Sequence, residues 1–184
     1  MQSTEAHPQP FSFEFYPPKT EEGAANLQLV HSKLAEQNPE FFSVTFGAGG
    51  STRDKTFDTV VNIQQKGIAA APHLSCVAST KENIRSILKS YQEHGISKIV
   101  ALRGDLPSGM MSAGEFRYAN ELVAFIRQET GDDFQIHVAA YPEVHPQAQS
   151  AAEDFKNFKR KVEAGANAAI TQYFYNAEAY FYFL

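Results

Sequence analysis

A carboxylate stands in an unusually aromatic segment near the start of the chain. Glu14 lies in the run Phe-Ser-Phe-Glu-Phe-Tyr-Pro-Pro, residues 11–18, where alternation puts Ser12 and Glu14 on one face of a predicted strand. A carboxylate is costly to bury unless it is paired or protonated, and a protonated carboxyl can act as a general acid. The alternative is an edge strand with a solvated Glu14, and this segment alone leaves the two interpretations equal.

Other residues able to do chemistry follow later apolar segments. Arg103-Gly104-Asp105 sets a cation and an anion beside a flexible glycine, which a turn salt bridge would also explain. Arg160 and Lys161 could reach a pyrophosphate, although a solvated helix face is the commoner outcome. His73 fits either a core histidine or a functional one. The glycine-rich stretch 47–52 lacks the lysine of a P-loop. It is consistent either with a tight turn or with a loop whose backbone contacts a ligand.

Alternating strands and helices must position these residues. The repeat of roughly 30 residues per unit predicts βα units and a parallel sheet. Glycines 67, 95, 131 and 165 each follow a helical pattern and predict where helices end. The predicted strands centre on Phe13, Val44, His73, Val100, Val138 and Ile170, and the predicted helices cover residues 21–37, 52–66, 80–94, 117–130 and 148–164.

The faces of the strands favour a barrel over an open sheet. An open parallel sheet carries helices on both faces and reads as continuous apolar runs. Here one face of most of the strands carries polar residues. This pattern is expected of the inside of a barrel that has a site at the carboxyl ends of its strands. These residues are Ser12, Glu14, Ser43, Thr45, His73, Ser75, Gln135, His137 and Gln172.

We therefore predict an α/β fold, a (β/α)8 TIM-type barrel with about the first six βα units present. Residues 1–10 are expected to be a disordered lead-in, and residues 11–184 an incomplete barrel forming a catalytic domain. A sixth helix starts near Ala177. With the first and last strands as unpaired edges, the chain is expected to associate.

Composition narrows the class of partner. The 184 residues carry a net charge of -5, which disfavours nucleic acid and anionic membranes and points to a small-molecule substrate. One cysteine, Cys76, is expected to be a small buried hydrophobe and forms no internal disulfide. Without a leader pattern or a long apolar run, a cytoplasmic location is expected. No metal-ligand spacing is present, so no metal is expected.

Four strings at the predicted strand ends resemble the methylenetetrahydrofolate reductase family. They are Phe-Ser-Phe-Glu-Phe-Tyr-Pro-Pro from Phe11, Ala-Leu-Arg-Gly-Asp-Leu-Pro from Ala101, Ala-Ala-Tyr-Pro-Glu-Val-His-Pro from Ala139 and Ala-Gly-Ala-Asn-Ala-Ala-Ile-Thr-Gln from Ala164. No single string is decisive, but a chance match of four strings in the same order and at matching spacing is very improbable. The likeness extends from Phe11 to Leu184.

The resemblance implies a flavoprotein oxidoreductase of one-carbon metabolism and methionine biosynthesis. Such an enzyme reduces 5,10-methylenetetrahydrofolate to 5-methyltetrahydrofolate by a ping-pong hydride transfer through FAD, with NADH or NADPH as the reductant. The cofactor supplies the hydride chemistry and the protein positions it. The resemblance also suggests a homo-oligomer.

The resemblance also assigns roles to residues of this sequence. Glu14 would be the general acid that protonates N10 of the folate, held partly neutral by burial. Asp105 would lie beside the flavin and the pterin, and Gln172 would contact the folate or the nicotinamide. The implied FAD positions are Thr45, Phe46, Ala48, His73, Arg103, Gly104, Asp105, Ala119, Tyr141, His145, Ala148, Asp154, Asn157, Arg160 and Lys161.

Two departures from the family pattern leave an alternative open. The loop 107–114, which precedes Ala119, varies in length within the family, and the family's barrel continues past Leu184 with strands seven and eight. The alternative is therefore a truncated, non-catalytic barrel that binds flavin or folate. A flavin-free lyase or aldolase lacks a strand-end lysine, since Lys98 lies at the start of its strand.

Overall fold

The computed structural model of the chain describes residues 10–46, 53–105 and 114–184. Strands and helices alternate throughout these residues. The strands are β1 (Ser12–Phe15), β2 (Phe41–Val44), β3 (Ala70–Ser75), β4 (Lys98–Leu102), β5 (Gln135–Ala140) and β6 (Ala168–Thr171). The helices are α1 (Glu21–Ala35), α2 (Arg53–Gln64), α3 (Lys81–Glu93), α4 (Ala119–Thr130), α5 (Ala151–Glu163) and α6 (Ala177–Phe183).

The strands form one parallel sheet in the order β1-β2-β3-β4-β5-β6. Each strand pairs with its successor in the chain, as Glu14 with Ser43 and His73 with Val100. Parallel neighbours joined by crossover helices are the arrangement of a TIM-type barrel. The six βα units confirm the predicted fold class of an incomplete (β/α) barrel. Within the described residues, β1 and β6 are the two edges of the sheet.

The two faces of the sheet have different environments. Outward side chains such as Phe42, Leu74 and Ile136 are buried in one large apolar cluster with the helices. Inward positions hold a smaller apolar layer that includes Phe41 and Val100. Nearer the carboxyl ends, the inward positions of β1, β2 and β3 become polar, whereas Leu102 of β4 joins the apolar layer. This division confirms the alternation on which the barrel prediction rests.

Helix boundaries differ from the predicted ones by a few residues. α5 begins at Ala151 instead of 148, because Ser150 has an extended backbone and its hydroxyl accepts a bond from the Glu153 amide. α4 begins at Ala119 instead of 117, after the extended Tyr118. The glycines predicted to end helices all have positive φ angles, from 57° to 111°.

Some predictions fall outside the described residues. They concern residues 1–9 of the lead-in, the glycine-rich stretch 47–52 and most of the loop 107–114. Among the helices within residues 10–46, 53–105 and 114–184, none is long and apolar enough to cross a membrane.

Apolar side chains are exposed at both edges of the sheet. Leu29 of α1 is exposed beside β1, and Phe155, Val162 and Phe181 are exposed beside β6. α5 has no fully buried residue. Its Phe158 packs against the main core, and the rings of Phe155 and Phe158 both contact Phe183 of α6.

Arg127 ties together the loops at the amino ends of β5 and β6. Its Nε and Nη2 atoms donate to the Gly165 carbonyl at 3.0 and 2.8 Å. Nη1 donates to the carbonyls of Gly131 and Phe134, both at 2.9 Å, and Nη2 also donates to Asn167 Oδ1 at 2.6 Å. One largely buried guanidinium therefore satisfies several loop acceptors at once.

Replacing Arg127 by Met should lower the free energy of unfolding by about 2–4 kcal/mol, because several partly buried carbonyls lose their donor. Urea unfolding followed by circular dichroism measures the change. Lys159→Met is the control, since it breaks only an exposed ion pair with Glu163 and should cost less than about 0.5 kcal/mol. Equal losses in the two variants would contradict the role given to Arg127.

A histidine without polar partners lies in the apolar core. His31 of α1 is 2% exposed, and its ring centroid lies 4.6 Å from that of Phe42. Neither ring nitrogen has a hydrogen-bond partner among the described residues. Burial, with a smaller contribution from the positive charge of Lys66, lowers the pKa of His31. The folded protein therefore favours the neutral ring.

The lowered pKa of His31 predicts that acid destabilises the fold. Below about pH 6.5 the unfolded chain binds a proton that the folded chain resists, so stability falls with pH. His31→Leu should make the fall in unfolding free energy between pH 7 and pH 5 shallower, with His137, whose pKa burial also lowers, supplying a remainder. An unchanged slope in His31→Leu would exclude this role.

Candidate functional site

A cleft of about 310 Å³ opens at the carboxyl ends of β4 and β5, against α5. This is the end of a parallel barrel where sites are found. Most of the residues implied as FAD positions line it together. They are Arg103, Gly104, Asp105, Ala119, Tyr141, His145, Ala148, Asp154, Asn157 and Lys161.

Close packing behind the cleft depends on Gly104. Its φ angle is 82°, and a Cβ atom there would lie 1.9 Å from Ser75 Oγ. The Ser75 hydroxyl donates to the Arg103 carbonyl at 2.9 Å, which holds the loop after β4 against the end of β3. A side chain at position 104 would both strain the backbone and displace this contact.

The Arg103 guanidinium faces the cleft and contacts the loop after β5. Nη2 donates to Gln147 Oε1 at 2.6 Å, and Nε donates to the Gly104 carbonyl at 3.2 Å. The turn salt bridge with Asp105 is not among the ion pairs of the described residues. Arg103 therefore offers a positive charge in the cleft that a neutral amide holds in place.

The loop after β5 supplies aromatic rings and a carboxylate. The rings of Tyr141 and His145 meet edge to face with centroids 4.4 Å apart. The His145 backbone amide donates to Asp154 Oδ2 at 2.7 Å, which joins the loop to the first turn of α5. Burial, and then the negative charges of Asp105 and Asp154, raise the pKa of Tyr141, so its hydroxyl stays protonated.

Arg160 and Lys161, the two basic residues of α5 implied for FAD, point in different directions. Lys161 lines the cleft and its Nζ donates to the Ala139 carbonyl at 2.5 Å. Burial lowers the pKa of Lys161, as expected of an ammonium that lacks full hydration. Arg160 instead donates to Asn157 Oδ1 at 2.5 Å and to Glu153 at 3.2 Å along the exposed helix surface. Of the two, Lys161 is the cation available to an anion in the cleft.

A second, adjoining cleft contains Gln172. It shares Asp105, Tyr141 and His145 with the first, and Gln172 lies on its β6 side. The Gln172 side chain interacts with the Tyr141 hydroxyl, and this interaction opposes the rise in the pKa of Tyr141. The residues implied for substrate on β4 and β6 therefore lie together in this second cleft, beside the first.

Glu14 is more open than the sequence suggested, and this corrects a prediction. Its side chain is 50% exposed, while His73 is 11% exposed and brings Nε2 within 3.3 Å of Glu14 Oε2. This distance is short enough for an ion pair, although His73 Nε2 makes no hydrogen bond of good geometry. Interaction with His73 lowers the pKa of Glu14, helped by Ser43 and opposed by partial burial. Burial does not hold this carboxyl neutral, because β1 is an edge of the sheet.

The implied FAD positions of β2 lie apart from both clefts. The Thr45 amide donates to the Phe15 carbonyl at 2.9 Å, and the Thr45 carbonyl accepts from Thr56 Oγ1 at 2.9 Å. Phe46 follows at the same strand end, whereas Ala48 is outside the described residues. His73, another implied FAD position, lies on the inner face with Glu14.

Cys76 is fully buried just beyond the end of β3. Burial raises the pKa of its thiol to about 12. A thiol that stays protonated is a poor nucleophile. The interpretation of Cys76 as a small buried hydrophobe is confirmed.

Several residues of the site were not predicted from the sequence. Gln147 holds Arg103, Asn120 and Tyr118 line the cleft, and Ser43 contacts Glu14. Gln147 was detectable as a polar residue in a loop that follows a buried strand. Asn120 gave no signal, because its exposure to the cleft depends on where α4 begins.

Comparison with known proteins assigns the chain to a family. The sequence model described as methylenetetrahydrofolate reductase matches residues 1–184, the whole chain. The chain belongs to the methylenetetrahydrofolate reductase family. The motifs from Phe11, Ala101, Ala139 and Ala164 are therefore family features of this chain, and the resemblance inferred from them is confirmed.

Curated members of the methylenetetrahydrofolate reductase family give the extent of the match. The 5,10-methylenetetrahydrofolate reductases of Salmonella typhimurium and Escherichia coli are each 47% identical over 173 residues, which cover 94% of this chain and 57% of theirs. A Zea mays protein named methylenetetrahydrofolate reductase (NADH) 1 is 38% identical over 188 residues, 95% of this chain and 32% of that one. The chain thus spans just over half the length of its bacterial relatives.

Solved structures show the same fold at low sequence identity. A Clostridium thermocellum protein that binds two copies of 5-methyl-5,6,7,8-tetrahydrofolic acid matches with a TM-score of 0.63 at 16% identity, over 95% of this chain and 57% of that chain. A phosphonopyruvate hydrolase matches with a TM-score of 0.66 at 14% identity, over 95% and 62%. At these identities the similarity shows the barrel fold alone.

The packing around Gly104 predicts a specific sensitivity. Gly104→Ala should destabilise the chain by at least about 2 kcal/mol, because it adds a collision with Ser75 to the strain of a positive φ angle. Thermal and urea unfolding measure the loss.

The matched control is Gly67→Ala, where φ is 89° but no atom lies within 4 Å of the added Cβ. It should cost only about 1 kcal/mol from backbone strain. Equal costs at the two positions would show that the contact with Ser75 does not constrain the loop.

Proposed function

We propose that this chain carries the flavin-binding and proton-donating part of an FAD-dependent methylenetetrahydrofolate reductase. The observation that carries the proposal is the convergence of the implied FAD positions from β4, α4, β5 and α5 in one cleft. Membership of the family supports methylenetetrahydrofolate as the substrate. NADH or NADPH would be the reductant.

The chemistry of the cleft fits a flavin dinucleotide. Lys161 and Arg103 offer positive charge to a pyrophosphate, and the Asn157 side chain lines the same cleft. The rings of Tyr141 and His145 offer flat apolar surfaces for an aromatic ligand. Bound FAD would supply hydride transfer in two separate half-reactions, from the nicotinamide and then to the folate.

Asp105, Tyr141 and Gln172 would orient the folate. They meet at the edge of the cleft, where a carboxylate, a protonated phenol and an amide present both donors and acceptors. Such a set suits the polar edge of a pterin. It can also receive a nicotinamide, since the two ligands would use the same face in turn.

Glu14 and His73 would deliver the proton as a pair. With its pKa lowered, Glu14 is ionised near neutral pH in this state of the chain. A proton on the adjacent His73 ring would lie one transfer away from the carboxylate, at 3.3 Å between Nε2 and Oε2. The folate N10 would then receive its proton from this pair as the methylene bridge opens.

A non-catalytic binding barrel is the second candidate function. The half-exposed Glu14 side chain favours it, because general acid catalysis benefits from exclusion of water. In this case the cleft would hold flavin or folate without turnover.

Anaerobic absorbance titration distinguishes these functions. The flavin-loaded chain is reduced with each nicotinamide, and methylenetetrahydrofolate is then added. Glu14→Gln should leave reduction by nicotinamide intact and slow reoxidation by the folate at least about 100-fold, since it removes the general acid.

Glu40→Gln serves as the matched control, because Glu40 pairs with Lys98 at the opposite end of the sheet and should affect neither half-reaction. A wild-type chain that retains no flavin after reconstitution would refute the proposal. Flavin that is retained and reduced but never reoxidised by folate would establish the binding barrel. Equal reoxidation of wild type and Glu14→Gln would remove Glu14 from the mechanism.

A further inference from the structure

The loop after β5, residues 141–147, is held from both sides. On one side, His145 donates its backbone amide to Asp154 of α5 at 2.7 Å. On the other, Glu143 Oε1 accepts the backbone amides of Tyr175 and Asn176, at 2.9 and 2.7 Å, from the loop between β6 and α6. One carboxylate oxygen therefore joins two loops that are more than 30 residues apart in sequence.

Val144, between these two anchors, has a strained backbone. Its φ angle is 80°, a conformation that β-branched residues rarely adopt. Such strain persists only where the surroundings hold the backbone on both sides, and it concentrates near functional sites. The hydrogen bonds of Glu143 and His145 supply these restraints. Without the bonds of Glu143, the backbone at Val144 would be expected to relax toward a negative φ angle.

The loop that Glu143 holds is the one that carries Gln172. At its start, the Gln172 amide donates to the Ala140 carbonyl at 2.8 Å, which continues the pairing of β6 with β5. At its end, Glu143 holds Tyr175 and Asn176. The segment 172–176 is thus tied to β5 and its loop at both ends.

The side chain of Gln172 lies between these two ties. Its Oε1 accepts the Tyr173 amide at 3.0 Å, so the side-chain amide nitrogen is the donor that Gln172 offers to the cleft. Both Gln172 and Tyr141 border the cleft that contains Asp105. The position of the donor therefore depends on how the loop is anchored.

We infer that Glu143 is a positioning residue for folate binding, which fixes Gln172 by clamping the loop after β6 to the loop after β5. The inference rests on the proposed function of the cleft. Glu143 touches neither the proposed flavin residues of α5 nor the Glu14 and His73 pair within the described contacts. Its loss should therefore weaken folate binding while flavin affinity changes by less than about twofold.

Amide hydrogen exchange tests the clamp without any ligand. In Glu143→Ala the amides of Tyr175 and Asn176 should exchange about tenfold faster or more, because they lose their acceptor. Glu143→Gln keeps an oxygen at the same reach and should stay within about threefold of wild type.

Asn176→Ala is the matched control for helix stability. The Asn176 side chain accepts the amides of Glu178 and Ala179 and so caps α6, but it does not form the Glu143 clamp. This variant should speed exchange in α6 and leave the Tyr175 amide protected. If Glu143 served only to stabilise α6, Asn176→Ala and Glu143→Ala would give the same pattern.

Binding of 5-methyltetrahydrofolate to the flavin-loaded chain, measured by calorimetry, tests the link to Gln172. Glu143→Ala should raise Kd about fivefold to tenfold, and Glu143→Gln should restore most of the affinity. In a Gln172→Ala background, adding Glu143→Ala should have no further effect, since the residue that it positions is gone.

The outcomes separate the inference from the proposed function. Wild type that retains flavin but binds no 5-methyltetrahydrofolate removes the folate function, and the inference falls with it. Wild-type binding together with unchanged affinity in Glu143→Ala overturns the inference alone. Fully additive losses from Glu143→Ala and Gln172→Ala would likewise show that Glu143 does not act through Gln172.

Discussion

In-register pairing of parallel strands is the constraint on which the rest of the structure depends. Because all the described strands run in one direction, their carboxyl ends meet at one edge, and alternate residues share the inner face. The pairing of Glu14 with Ser43 and of His73 with Val100 places both side chains inward. A shift of one residue in either strand would turn its polar residue into the apolar layer under the helices.

Burial and charge contribute differently to the pKa values in the two parts of the site. In the cleft, partial burial dominates: it raises the pKa of Tyr141 and lowers that of Lys161, so both groups lean toward their neutral forms. At the β1 edge, attraction to His73 outweighs burial and lowers the pKa of Glu14. Burial therefore controls the groups of the cleft, whereas Glu14 lies half exposed on β1, which pairs with β2 alone among the described strands.

Local patterns predicted the elements well because their causes are local. Period-two and helical spacings located every strand and helix, and the 3.6-residue period put Asp154, Asn157 and Lys161 on one face of α5, where they line the cleft together. The same period did not show that the Lys161 side chain points into the cleft while the Arg160 side chain points along the exposed surface of α5. Arg160 lies one residue away and is drawn along the surface by Glu153. Helix starts were also missed, because the extended backbone at Ser150 depends on its own cap.

The sequence by itself determined the order and type of the elements, the inward polar face and, through its motifs, the family of the chain. Tertiary structure alone decided that Glu14 is half exposed beside His73, that Gln147 holds Arg103, and that Glu143 joins the loops after β5 and β6. The physical reason is the range of the interactions. Propensity and periodicity act over a few residues, whereas these contacts join residues from about 30 to 60 positions apart and exist only once the strands have paired.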